Sequence, residues 1–205
     1  MVKSVVSIFT LCIMVAWPVH ARPTPDPGGN YARIYGDAAP PIGYVQFCAK
    51  RPKACKPTGS RLKRIAATPE RFSELDAVNR DVNREIEPVE DIVQYGREEF
   101  WTIPTTGKGD CEEYVLVKRQ RLLARQWPSS ALLITVVLDE NRQGHAVLTA
   151  RMSNGDVILD NKHDQIKIWS ETPYVYLMRQ SYLNPRVGMA MMPPSTDGTP
   201  MTAGN

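Results

Sequence analysis

The sequence predicts an α+β fold, with helices in the first half of the chain and an antiparallel sheet in the second. Apolar residues recur at helical spacing between residues 68 and 86, and a second helix start with its own capping residues lies at residue 110. After residue 130 the pattern changes to short apolar runs separated by turn residues, which is typical of strands. With 205 residues, the chain is long enough for one domain with a sizeable core.

Residues 1–21 have the pattern of a secretory signal peptide. A basic Lys3 precedes an apolar run that ends at Trp17, and a small-residue cleavage site follows after Ala21. An uncleaved anchor helix is the alternative, but the apolar run is short for a bilayer and Pro18 interrupts it. We therefore predict an exported protein, periplasmic or secreted, with no stable membrane insertion after cleavage.

Charge and composition describe the rest of the chain. Cleavage removes one lysine and no acid, so the formal net charge falls from +3 to +2, which argues against an electrostatic nucleic-acid binder. Residues 22–30 are predicted to be a mobile N-terminal segment and residues 190–205 a disordered C-terminal tail, since both are rich in Pro and Gly. The folded domain is predicted to span residues 31–189.

Three cysteines remain after cleavage, which is an odd number for an oxidising compartment. Cys48 and Cys55 lie in the short stretch FCAKRPKAC, where closing a loop needs little rearrangement of the chain. We predict that these two form a disulfide, with a loop-closure contribution of about 2–3 kcal/mol. Cys111 is then left as a free thiol.

The first predicted helix begins after Thr68, a capping residue followed by proline at the first helical position. The helix is expected to end near residues 86–88, at Ile86-Glu87-Pro88. Its predicted apolar stripe consists of Phe72, Leu75, Val78, Val82 and Ile86.

The second predicted helix begins at Cys111, within the stretch GKGDCEEY, and ends at Trp127-Pro128. Asp110 is a suitable N-cap, and Glu113 completes the reciprocal capping pattern D-x-x-E. The helix dipole favours a thiolate at this position, whereas the charges of Asp110, Glu112 and Glu113 oppose it. A reactive Cys111 therefore requires a nearby cation or neutralised carboxylates.

Three strands are predicted beyond this helix. They are ALLITVVL (131–138), HAVLTARM (145–152) and DVILD (156–160). Asn154-Gly155 is a hairpin signal between the last two strands.

Two histidines are available as partners for the thiol in the mature chain. His145 opens a strand, whereas His163 lies in a polar stretch predicted to be an exposed loop. Asp160 ends the next strand and is the candidate to orient His145. Each residue alone is typical of a structural role, but Cys111, His145 and Asp160 together form a set in the chain order of a catalytic triad. A zinc site is a weak alternative, because these separations match no compact ligand motif.

Several segments together resemble the bacterial transglutaminase-like cysteine peptidases, the group that includes LapG-type periplasmic proteases. The segments are PPIGYVQFCAKRPKAC, VNRDVN, EDIVQYGREEFWTIP, GKGDCEEYVLVK, GHAVLTA, and VILDN followed by Trp169. The resemblance implies a papain/transglutaminase-like core, with the catalytic Cys at a helix N-terminus and the His and Asp on an antiparallel sheet. It also implies Cys111 as the nucleophile, His145 as the general base and acid, and Asp160 as the orienting residue.

The implied activity is cleavage of a protein or peptide substrate through an acyl-enzyme, with no cofactor required for the chemistry. The resemblance further implies a calcium site that uses Asp110 and Glu112, and calcium would offset the charges beside the thiol. Trp101 could donate to the oxyanion hole, but packing beneath the site is the preferred role for a large aromatic. Transglutaminase-like acyl transfer and a catalytically inactive cleft-binding module remain open as alternatives.

The triad also sets a condition on the hairpin. With a tight two-residue turn at Asn154-Gly155, Asp160 would pair with Thr149, about 13 Å along the strand from His145. The triad therefore predicts a wider loop over residues 150–155, or a bulge that shifts the register.

Overall fold

The computed structural model describes residues 29–61 and 64–193, and these form four helices and nine strands. The helices are α1 (Ile42–Lys50), α2 (Pro69–Glu85), α3 (Asp91–Tyr95) and α4 (Cys111–Ala124). The strands are β1 (Gly36–Ala38), β2 (Glu87–Pro88), β3 (Lys108–Gly109), β4 (Leu132–Leu138), β5 (Gly144–Met152), β6 (Gly155–Leu159), β7 (Lys167–Ile168), β8 (Val175–Gln180) and β9 (Gly188–Ala190). The predicted α+β class is confirmed.

Seven strands form one antiparallel sheet in the order β1-β9-β8-β4-β5-β6-β7, and β2 pairs with β3 in a separate parallel ribbon. The three predicted strands are present as β4, β5 and β6, with bounds within one residue of the prediction. They occupy the interior of the sheet, where most of their residues are buried. The outer strands are shorter or more mixed in composition, and the sequence patterns did not indicate them.

Side chains alternate between the two faces of the sheet and contribute to two hydrophobic clusters. Ala146, Leu148 and Ala150 of β5 belong to the larger cluster, which lies between the sheet and helices α1, α2 and α4. Val147 belongs to a smaller cluster that also contains Tyr174. The alternation of β5 therefore separates the helix-covered face from the opposite face.

Helix α2 begins and ends where the sequence predicts. The Thr68 hydroxyl accepts a hydrogen bond from the Arg71 N–H at 3.3 Å, and Pro69 occupies the first helical position. Leu75, Val78 and Val82 are fully buried. Phe72 is a correction to the predicted apolar stripe: it lies in the first turn, at the margin of the buried face, and is 44% exposed.

The predicted disulfide between Cys48 and Cys55 is present, with the two Cα atoms 5.6 Å apart. It ties the end of α1 to the short 3₁₀ turn Pro52–Cys55, and both cysteines are buried in the larger cluster. Cys111 is the free thiol.

The predicted signal peptide, residues 22–28 and residues 194–205 lie outside the described residues. At the described ends, the Asp156 N–H donates to the Asn30 carbonyl at 2.7 Å, and the Met191 N–H donates to the Leu177 carbonyl at 2.9 Å. Backbone hydrogen bonds to the sheet therefore include Asn30 at one described end and Met191 at the other. Within the two described ranges, no helix has the length and apolar character needed to span a bilayer.

Candidate active site

Cys111 is the first residue of α4, as the capping pattern predicts. The Glu113 carboxylate accepts a hydrogen bond from the Asp110 backbone N–H at 3.1 Å, which is the return half of the capping box. Glu113 also accepts from the Thr102 N–H at 3.0 Å, so one buried carboxylate connects the start of α4 to the segment before it. This double contact fixes the position of Cys111 relative to the rest of the core.

The Cys111 thiol donates a hydrogen bond to Glu112 Oε2, at 3.0 Å from Sγ. Burial raises the pKa of the thiol well above its usual value, and the charges of Glu112 and Asp110 raise it further. The backbone N–H of Ala146, which faces the sulfur, lowers the pKa, but by less than burial and the two carboxylates raise it. In this conformation Cys111 is a protonated thiol, and no hydrogen bond joins it to His145, although both residues are described.

His145 and Asp160 are in direct contact, with His145 Nε2 and Asp160 Oδ1 2.9 Å apart. Both side chains are buried. Burial alone would raise the pKa of Asp160, but hydrogen bonds from His145 and other donors, together with the charge of His145, lower it to about 2. Asp160 is therefore a carboxylate at neutral pH, which suits a residue that orients an imidazole.

Two further donors complete the surroundings of Asp160. The Tyr174 hydroxyl donates to Asp160 Oδ2, and the Lys162 backbone N–H donates to Oδ1 at 3.0 Å. The Tyr174 ring also lies edge-on to the His145 imidazole, with ring centroids 5.7 Å apart. Tyr174 was not predicted from the sequence, because the chain separates it from both partners and no local motif marks it.

The hairpin between β5 and β6 corrects the predicted geometry. No wide loop or bulge is present over residues 150–155: pairing is regular, and Met152 lies opposite Gly155. The turn residues are Ser153-Asn154 rather than Asn154-Gly155, which moves the register by two residues. Asp160 then follows the last pair, Leu148 with Leu159, and reaches His145 diagonally from just beyond the strand end.

Four acidic residues surround the start of α4. Ligand atoms of Asp110, Cys111 and Glu112 lie within 4.8 Å of one another, and so do those of Asp91, Asp110 and Glu113. Burial raises the pKa of Asp91 to about 6, and it raises the pKa values of Glu112 and Glu113 as well. Asp91 was missed in the sequence, because its proximity to Asp110 arises only when α3 folds against the start of α4.

Two of these carboxylates carry oxygens without a partner. Asp110 Oδ2 accepts from the Asp91 N–H at 3.0 Å, and Asp91 Oδ2 accepts from the Phe100 N–H. Oδ1 of each residue is buried and makes no hydrogen bond. Unpaired buried carboxylate oxygens are costly, so the cluster has unused capacity for a cation or protons.

Trp101 packs in the core near the site. Its ring lies edge-on to Tyr44, with centroids 5.5 Å apart, and its indole N–H donates to Glu99 Oε2 at 3.0 Å. The indole donor is therefore engaged, which favours packing over an oxyanion role. His163 lies in an exposed loop, as predicted.

Residues 34–195 match the family described as bacterial transglutaminase-like cysteine proteinase, BTLCP. This match covers well over half of the chain, including Cys111, His145 and Asp160. The chain belongs to this family. The predicted family resemblance is thereby confirmed, and no curated protein matches the chain.

Solved structures of LapG from Legionella pneumophila are similar to part of the chain, in calcium-bound and EGTA-treated forms among others. The calcium-bound form is 24% identical, with a TM-score of 0.48, and the match covers 56% of this chain and 66% of the LapG chain. The values for the EGTA-treated form are the same, except that 64% of that chain is covered. Each of these structural matches covers less than two thirds of the LapG chain. Membership of the family is shown by the match of residues 34–195 to the family described above.

Proposed function

We propose that the protein is an exported cysteine peptidase that cleaves a protein substrate, with Cys111, His145 and Asp160 as its catalytic triad. The observation that carries the proposal is the 2.9 Å contact between His145 and Asp160, made beside a cysteine at a helix start. Membership of a cysteine proteinase family supports the reaction class. The contact supports the roles of the individual residues.

The contact determines which imidazole nitrogen is available for proton transfer. Asp160 is charged at neutral pH and accepts a hydrogen bond, so Nε2 of His145 carries a proton. Nδ1 is then the basic nitrogen of the neutral ring, and it is the atom that exchanges a proton with the thiol. Asp160 keeps the ring in this tautomer and stabilises the imidazolium that forms.

The proposed reaction has two steps. Cys111 passes its proton to His145 Nδ1, and the sulfur attacks the scissile carbonyl carbon to form a tetrahedral oxyanion. The backbone N–H of Cys111 at the helix start donates to that oxyanion. His145 returns the proton to the leaving amine as the C–N bond breaks, and a water molecule then hydrolyses the thioester and restores the thiol.

Before the first step, the thiol must leave Glu112. In the resting arrangement the sulfur donates to Glu112 Oε2 and not to His145. The thiol proton must then turn toward His145, and the sulfur is already faced by the backbone N–H of Ala146, the neighbour of His145 on β5. Activation therefore depends on weakening the bond between the thiol and Glu112.

We also propose that calcium binds the acidic cluster at the start of α4. The donor set fits, because calcium prefers carboxylate oxygens and the buried Oδ1 atoms of Asp91 and Asp110 are unpartnered. Asp110 and Glu112 are the ligands expected from the sequence, and Asp91 and Glu113 enlarge the set. When bound, the ion would supply positive charge that offsets the carboxylates beside the thiol.

Calcium binding has a readout that is independent of activity. At a calcium concentration of 100 times the dissociation constant, binding should raise the free energy of unfolding by about 2.7 kcal/mol. This corresponds to a Tm that is roughly 5–10 °C higher in calcium than in EGTA. Asp110→Asn should abolish this rise, and Asp81→Asn, on the exposed face of α2, should leave it unchanged. An unchanged Tm for the native protein across the calcium series would refute the site.

Export and domain limits are part of the same proposal. A signal peptide over residues 1–21 would leave a mature chain that begins at Arg22, with the peptidase domain at about residues 31–189. The N-terminal sequence of the protein recovered from a periplasmic or culture fraction tests this directly. Recovery of an intact Met1 would refute cleavage.

The peptidase activity is tested by comparing the N-termini of exported proteins in cells that carry the native enzyme or Cys111→Ala. Native cells should contain new N-termini that are absent with the variant, and their absence would refute proteolysis. Incorporation of a labelled amine into a glutamine peptide would instead indicate acyl transfer. A thiol whose alkylation by iodoacetamide does not respond to His145→Ala would indicate the inactive module.

A further inference from the structure

Two asparagines of α2, Asn79 and Asn83, contact the loop that carries Asp160. They lie four residues apart, so both side chains project from one face of the helix. Asn79 is completely buried. An asparagine at such a position is unfavourable for the fold unless its amide has partners, and the proposed reaction does not use either residue directly.

Each amide group donates two hydrogen bonds to the loop. Asn83 Nδ2 donates to the backbone carbonyl of Asp160 at 3.0 Å and to Asp164 Oδ1 at 2.9 Å. Asn79 Nδ2 donates to the carbonyls of His163 and Asp164 at 3.1 and 2.9 Å. Four hydrogen bonds from one helix face therefore connect to residues 160–164, which follow β6.

The attachment of the loop is important because Asp160 lies outside the sheet ladder. Strand β6 ends at Leu159, and β7 begins only at Lys167, so regular pairing does not hold the Asp160 backbone. Its carboxylate nevertheless meets His145 at 2.9 Å. The bond from Asn83 is made to the carbonyl of Asp160 itself and restrains the backbone that carries this carboxylate.

The amides also retain buried acceptors that find no partner. Oδ1 of Asn79 and Oδ1 of Asn83 are both buried and make no hydrogen bond. An unsatisfied buried acceptor costs about 1–3 kcal/mol, so an apolar side chain would serve the helix packing better. The pair is thus unfavourable for packing but well suited to binding the loop.

We propose that Asn79 and Asn83 are positioning residues of the active site, which hold the Asp160 loop so that Asp160 meets His145. This inference rests on the proposed triad. Asn83 makes the larger contribution to the position of Asp160, because its amide binds the Asp160 carbonyl directly. Asn79 binds His163 and Asp164, farther along the same loop. The exposed pair between Arg80 and Asp164, at 3.8 Å, contributes little because it is screened by solvent.

The test is a double-mutant cycle between Asn83→Ala and Asp160→Asn, read as the second-order rate constant for alkylation of Cys111 by iodoacetamide in calcium-containing buffer. Asn83→Ala should lower the rate constant by about 10-fold, because small displacements of a catalytic group have effects of this order. In the Asp160→Asn background, it should cause no further loss. A merely structural role would give the same loss in both backgrounds.

Two further variants test whether the N–H donors of Asn83 are responsible for the effect. Asn83→Asp keeps the shape but removes both N–H donors, so it should lose as much as Asn83→Ala. Arg80→Ala lies on the same helix and should leave the rate constant within about twofold. If Asn83→Ala does not give folded protein by circular dichroism, Asn83→Ser takes its place in the cycle.

The outcomes separate this inference from the proposed function. Equal losses in the two backgrounds, or no loss from Asn83→Ala, overturn the positioning role and leave the triad intact. A native alkylation rate for Asp160→Asn overturns the orienting role of Asp160 and this inference with it. A loss that disappears in the Asp160→Asn background supports both.

Discussion

Replacing Lys118 with methionine should stabilise the protein by an amount that depends on pH. Lys118 lies on α4, seven residues after Cys111, and is 1% exposed, with Nζ 5.7 Å from the centroid of the Tyr114 ring. Burial lowers its pKa from 10.5 to about 7, although the charges of Asp160 and Asp164 partly oppose the effect. At about 1.4 kcal/mol per pKa unit, this change corresponds to a folded-state penalty of roughly 5 kcal/mol.

The sign follows from proton binding. Below pH 7 the amine is charged in both the folded and the unfolded state, so the full penalty is present. Between about pH 7 and 10.5 the unfolded state binds more protons, so native stability rises with pH and the penalty fades. Lys118→Met removes the charge, so the increase in the free energy of unfolding caused by this substitution should be greatest at low pH. The increase should be about 3 kcal/mol smaller at pH 9.5 than at pH 6.

Urea unfolding at pH 6 and pH 9.5 measures this difference, with both proteins in a Cys111→Ser background to prevent thiol exchange. Lys108→Met provides the control, because Lys108 is exposed and its amine pairs with the exposed carboxylate of Glu87. Its stability difference should change by less than about 0.5 kcal/mol between the two pH values. A gain from Lys118→Met that is equal at both pH values would show that burial of the charge is not its cause.

Two further outcomes follow from the fold. Replacing both Cys48 and Cys55 with serine should lower the free energy of unfolding by about 2–3 kcal/mol, and reductant should destabilise the native protein but not the variant, as measured by urea unfolding. Gly43→Ala should destabilise by about 1–3 kcal/mol despite the better helix propensity of alanine, because its Cβ would lie 2.3 Å from the Trp101 ring. Gly144→Ala, which meets no atom within 4 Å, is the matched control, and equal Tm values for the two alanine variants would contradict the steric argument.

Much of the fold could be predicted from the sequence, because the signals are local. Thr68 and Asp110 have side chains suited to capping, and both precede helices at the expected residue. The apolar stretches of β4, β5 and β6, bounded by turn residues, are typical of buried strands. The disulfide was predictable because its two cysteines are only seven positions apart in the sequence.

The geometry of the candidate site could not be predicted from local patterns, because it depends on contacts between residues that are far apart in the sequence. The register of β5 and β6 is set by the choice of turn residues, and moving the turn by one residue changes the pairing by two. Tyr174 and Asp91 approach the site only through packing of distant segments. Asn79 did carry a signal, since it lies one residue after Val78 on the apolar stripe of α2, and a buried amide requires partners.

The environment of Cys111 shows why a helix start alone does not produce a reactive cysteine. The dipole contributes about 0.3–1 kcal/mol at an ordinary helix terminus, which is less than one pKa unit. Burial and the charges of Glu112 and Asp110 act in the opposite direction, and together they raise the pKa of the thiol well above its usual value. The dipole is therefore the smaller effect. In the proposed mechanism, the nucleophilicity of Cys111 therefore has to come from His145 and from neutralisation of the carboxylates of Asp110 and Glu112, and Asp110 is also the residue that caps the helix.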